Sequence, residues 1–140
     1  MYYKLDPEVP GGIGELSELD TGVAPLVVRR LHYEFDSWFG DCLGQSSPIY
    51  ILAKYAAVDL ERHGFSGFNL REVLVTRSEV WEQLDLKITL PQFVWLDVVG
   101  VGGQHDIGRV DKAGLVVSST VLDVLKSHRL DHCKIVEFPG

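Results

Sequence analysis

The stretch from Pro25 to Phe35, PLVVRRLHYEF, alternates, with Val27, Leu31, Tyr33 and Phe35 on one side and Val28, Arg30, His32 and Glu34 on the other. A period of two predicts a half-buried strand with Glu34 turned away from the core. Asp36 begins the exit from that strand, and SWFGD carries Trp38 and Phe39 through a turn. LREVLVTRS (Leu70 to Ser78) and LPQFVWLDVVG (Leu90 to Gly100) read as further strands, and SEVWEQL between them as a short helix capped by Ser78. The opening YYKL has the β-propensity of a short strand. Two stretches break the patterning, DPEVPGGIGELSELDTG and GVGGQHDIGRVDKAG, and both read as long loops. PGGIG lacks the spacing and the Lys-Ser/Thr of a phosphate-binding turn and reads as a turn using glycine's access to positive φ.

One pattern occurs twice. Residues 48–73 align without gaps, at an offset of 65, with residues 113–138, although only Leu60/Leu125, His63/His128 and Glu72/Glu137 are identical. Each copy has a short apolar run, then helical spacing, then a closing strand. The stripes are Leu52, Ala56, Leu60 and His63 in the first copy and Val121, Val124, Leu125 and His128 in the second. Ser118 to Thr120 offers an N-cap and Gly64 a C-terminal stop. Two βαβ-like units, about 48–73 and 113–138, are therefore expected. The whole predicts one α+β domain over residues 1–140, with a mixed β-sheet and helices packed mainly on one face.

Composition leaves this picture intact. The chain has 140 residues, 46% of them hydrophobic and 24% charged, an ordinary globular balance that argues against disorder. The opening MYYKLDPEVPGG has no apolar signal-peptide core, and no apolar run approaches the ~18 to 20 residues of a membrane span, so a soluble cytoplasmic protein is expected. Cys42 and Cys133 fit no CxxC pattern and read as reduced, buried thiols.

Charge adds a direction. The formal net charge is −7, and up to Ser47 eight acids face three bases, which places −5 of it in the first third of the chain. Such a field disfavours nucleic acid and anionic membranes and speeds encounter with basic partners.

No catalytic constellation stands out. Cys42 has His32 nearby in sequence, but nothing in the spacing brings them together. Glu34 and Asp36 share a strand face about 7 Å apart and need a cleft around them to do acid–base work. His105-Asp106 sits in a glycine-rich loop. His128 and His132, with Cys133, have i, i+4 spacing, yet Arg129-Leu130-Asp131 reads as a helix exit and no second ligand pair accompanies them. No catalytic residue, metal or cofactor is expected. Glu34, Asp36, Trp38, Phe39 and Asp41 combine large rings with carboxylates, the composition of a protein-binding hot spot.

The segments LHYEFDSWFGDCL, FSGFNLREVLVTRS, LPQFVWLDVVG and LVVSSTVLDVLKSHRLDHCKIVEF resemble the immunity proteins encoded beside polymorphic or type VI secreted bacterial toxins. That resemblance implies a non-enzymatic cytosolic protein that binds one cognate toxin and blocks its active site or substrate path. The acidic first third suits a basic, nuclease-like toxin, bound by a monomer or small homo-oligomer. The competing expectation is a small hydrolase or nucleotide-modifying enzyme, with Glu34 and Asp36 working beside His32 or His105 in a pocket.

Overall fold

The computed structural model describes residues 1–20, 27–111 and 114–139. Pro25, Leu26 and Ala113, which begin two of the predicted elements, lie outside them. In chain order the elements are β1 (Tyr2–Asp6), β2 (Gly11–Ile13), β3 (Glu18–Asp20), β4 (Val27–Phe35), β5 (Leu43–Ser46), β6 (Ile49–Ala53), α1 (Lys54–His63), β7 (Phe68–Arg71), β8 (Val73–Arg77), α2 (Glu79–Gln83), β9 (Phe93–Val98), β10 (Ile107–Val110), β11 (Gly114–Ser118), α3 (Ser119–Ser127) and β12 (Lys134–Phe138). The domain is α+β.

The strands form three four-stranded sheets rather than one. Two share an architecture: β5-β6-β9-β7 and β10-β11-β1-β12. In the first, β9 runs antiparallel between β6 and β7, so β6-α1-β7 is a βαβ unit split by an inserted strand. In the second, β1 is inserted in the same way between β11 and β12. The registers superpose at the offset of 65 read from the sequence. Leu96 lies between Tyr50 and Leu70, and Leu5 lies between Leu115 and Ile135. The chain's first strand thus completes its last unit.

α1 and α3 pack against each other and each against its own sheet. Ala56, Ala57 and Leu60 are the buried side of α1, and Val121, Leu122 and Leu125 that of α3. Leu52 belongs to β6, and His63 is exposed, so the first predicted stripe is shorter than expected. Gly64, in the left-handed region, ends α1. Ser118 caps α3 by accepting from the backbone N–H of Val121, an interaction worth about 1 kcal/mol. Ser78 caps α2 likewise through Trp81 N–H.

The third sheet is built on β4, with β2 and β3 end to end along one edge and β8 parallel on the other. The predicted strand from Leu70 to Ser78 is therefore two strands, which pass at Glu72 from one sheet to another. The alternation of β4 reverses partway. Leu31, Tyr33 and Phe35 are buried as expected, but Val27 is exposed and Val28 takes the inner position. The cause is a bulge: between Glu18 and Leu19 the partner steps from Arg30 to Val28, so one extra residue of β4 inverts every side chain beyond it. Tyr33, Phe35 and Phe93 form an aromatic seam, with successive ring centroids 4.9 Å apart, that joins this sheet to the first.

PGGIG is an edge strand and not a turn. A Cβ on Gly11 would lie 1.9 Å from the Glu34 carbonyl oxygen, and one on Gly14 would lie 2.0 Å from the His32 ring. Neither has positive φ. Glycine is needed here for close approach, which lets β2 pair along the edge of β4.

Candidate functional site

The five acidic and aromatic residues expected to form one patch are divided among three places. Glu34 and Asp36 line a hollow of about 420 Å³ with Gly12, Ile13, Gly14 and Glu15. The Asp36 carboxylate also accepts the Ser78 hydroxyl and so holds the α2 cap. Trp38 turns onto the core, half-buried. Its Nε1–H donates to the Asp41 carbonyl at 2.8 Å, and its ring meets Phe93 edge-on at 6.2 Å. Phe39 is 51% exposed beside the His132 ring, 6.0 Å away. Asp41 is only 1% exposed. It is a buried anchor and not a surface group, because its carboxylate accepts the backbone N–H groups of Asp131 and His132 at 2.9 and 2.8 Å and the His132 Nδ1–H at 3.1 Å.

Trp38 and Phe39 line a second hollow, of about 660 Å³, together with Tyr55, Ile88, His128 and Arg129. None of the last four belonged to the expected patch. They come from α1, from the segment before β9 and from the end of α3, and only the packing of the two helices brings them together. Tyr55 is 42% exposed and its ring lies 5.5 Å from that of His128. Arg129 has a φ of 83°, in the left-handed region where non-glycine residues are strained, and its Nε donates to Asp131 at 2.8 Å. The hollow is open, aromatic on its walls and cationic at one rim.

One signal for this region lay in the repeat. The matched pair His63 and His128 close on a single carboxylate, Asp59, His128 Nε2 at 2.9 Å and His63 Nδ1 at 3.7 Å. The His128 hydrogen bond is the main cause that holds the Asp59 carboxyl below its ordinary value. A depressed carboxylate stabilises the fold above its unfolded pKa of 3.8, and that contribution is lost as pH falls through the lower folded value. Asp59→Asn is therefore expected to flatten the acid limb of the stability profile below about pH 4, read as the urea midpoint against pH. An unchanged limb would mean that Asp59 does not couple α1 to α3.

The catalytic candidates are each engaged elsewhere. His32 is 3% exposed; its Nδ1 accepts the Leu16 N–H, so Nε2 carries the proton and donates to the Thr76 hydroxyl at 2.7 Å. Cys42 is buried against the Leu125 carbonyl, and burial pushes its thiol up to about 12, which removes the thiolate that a nucleophile requires. His105 Nδ1 accepts the Val101 N–H, whereas Asp106 binds Ser66. Among the described residues, those that line the hollow beside Glu34 and Asp36 include no histidine.

A different cluster is assembled. Glu8, just after β1, joins Asp41 and His132, with one ligand atom of each within 4.8 Å of the others. The hydrogen bond to Asp41 raises the His132 imidazole above its ordinary value. Burial, and then the Asp41 charge, raise the Glu8 carboxyl. Cys133 follows directly but is not part of the cluster; burial pushes its thiol up to about 12.

The fold and these sites define a small α+β protein with open, shallow surface hollows. No protein-family model matches the chain, and no curated protein matches it. Among the described residues no helix is long and apolar enough to cross a membrane.

Proposed function

We propose that this chain is a binding protein of the immunity type, which docks on a basic cognate toxin and neutralises it without catalysis. The observation that carries this reading is the hollow walled by Trp38, Phe39 and Tyr55 and rimmed by Arg129. Aromatic residues and arginine around an open apolar depression are the residue types that dominate binding energy at protein interfaces. Phe39 and Tyr55 keep about half or nearly half of their surface in water and stand ready to be desolvated by a partner. The net charge of −7 favours a basic partner. Glu34 and Asp36, with Glu15, add an acidic hollow on the β4 sheet. Engagement of Cys42, His32 and His105 within the fold weighs against the hydrolase reading.

The test is titration against the product of the adjacent gene, which this reading expects to be the toxin. Phe39→Ala and Tyr55→Ala are each expected to weaken binding by roughly 30-fold or more, about 2 kcal/mol, with little change in melting temperature. Association is expected to slow as salt rises. Wild-type affinity in both variants would remove the hollow from the interface, and hydrolysis of a nucleotide or ester by the purified chain would favour the enzyme.

A further inference from the structure

We propose that Glu8, Asp41 and His132 form a site for a divalent transition-metal ion, with zinc the best match to their chemistry. The three side chains come from the segment after β1, the turn before β5 and the loop after α3, and they converge within 4.8 Å. His132 Nδ1 and Asp41 Oδ1 are 3.1 Å apart. Two ligand atoms bound at about 2.0 to 2.1 Å in a tetrahedron are separated by roughly 3.3 Å, a spacing that this pair nearly has, and the Glu8 carboxylate, within 4.8 Å, closes on the ion by a side-chain adjustment. Asp41 needs no ordering, since the backbone N–H groups of Asp131 and His132 already fix its carboxylate. That is the outer support which orients a metal ligand.

A second observation points to a cation. Glu8 Oε1 is buried and accepts no hydrogen bond. A buried carboxylate oxygen without a partner is costly, and among the described residues no lysine or arginine pairs with Glu8 or Asp41. A divalent ion held by the Glu8 carboxylate offsets that cost and balances two converging carboxylates. The imidazole sets the class of ion, because magnesium and calcium prefer all-oxygen shells whereas nitrogen with carboxylate suits zinc. The His132 side chain is 45% exposed, which leaves a side open for water to complete the coordination. Bound there, the ion ties three distant segments together beneath Phe39.

This proposal stands apart from toxin binding, since its readout is the metal alone. The full chain, stripped with chelator and titrated calorimetrically with zinc, is expected to bind one ion with a micromolar or lower Kd. Its melting temperature is expected to rise by about 5 °C or more at saturation. Glu8→Gln and His132→Ala are each expected to weaken binding at least about 10-fold. His132→Ala is a surface change, so loss of binding there is not loss of fold. Absence of zinc binding by the wild type overturns the proposal, as does unchanged affinity in both variants. Loss of binding only in His128→Ala would place the ion at Asp59 instead and equally overturn it, and so would an equal response to magnesium.

Discussion

Asp41→Ala is expected to destabilise the protein by about 2 to 4 kcal/mol, because a buried carboxylate that accepts two backbone N–H groups is lost. Both Asp41 oxygens are engaged by the 131–132 loop, one of them twice. Removal of the carboxylate leaves the Asp131 and His132 N–H groups without their acceptor, at a cost of about 1 to 3 kcal/mol for each that remains buried. Substitution by Asn is no rescue, because a carboxamide presents one acceptor and turns a donor toward N–H groups. Urea unfolding in chelator, so that any bound ion is excluded from the comparison, reads the effect as a lower midpoint at unchanged slope. A loss below about 0.5 kcal/mol would show that the 40–42 turn and the 129–133 loop do not depend on this anchor.

Asp41 also shows where sequence reading ends. In FGDCL it has the neighbours of a surface turn, and its partners lie 90 and 91 residues away. Local pattern carries no record of them. Glu8 was equally hidden, since its role depends on the same long-range closure. What the sequence disclosed were features settled within a few residues: the Ser78 and Ser118 caps, the Gly64 stop, and the apolar runs of β6 and β11. The offset of 65 proved more informative than its three identities suggested, because it marks two units with matching registers. Sheet membership was not legible. β2 and β3 are three residues each, too short for a period of two to declare itself. The reversal within β4 depends on a bulge opposite β3, and the passage at Glu72 between sheets on which partner each half finds. Of the expected patch, Phe39 stays exposed at the hollow, while Trp38 divides its surface between core and hollow. Helix packing supplied Tyr55, His128 and Arg129, which no local spacing connected to it.

The repeat leads to the second large expectation, deletion of residues 1–6. β1 is an interior strand, hydrogen-bonded to β11 on one side and β12 on the other, and its Leu5 is 2% exposed. Without it the second unit has a gap where the first has β9, two sheet edges open, and the buried run Leu115, Val116 and Val117 loses its cover on one flank. Burial of Leu5 alone contributes about 1.5 to 3 kcal/mol, and the lost ladder adds to it, against a total stability of about 5 to 15 kcal/mol for a domain of this kind. The truncated chain is expected to show no cooperative melting transition. A cooperative transition within about 10 °C of the full chain would refute the role assigned to β1. Tyr2 pairs with Phe138, so the end of β12 lies beside the start of β1. A permuted chain that begins after Asp6 and carries YYKLD behind β12 through a short turn would supply the same strand in the same register, in the chain order β11-α3-β12-β1 that matches β6-α1-β7-β9. That permutant is expected to regain cooperative melting, which separates loss of the strand itself from any other consequence of the deletion.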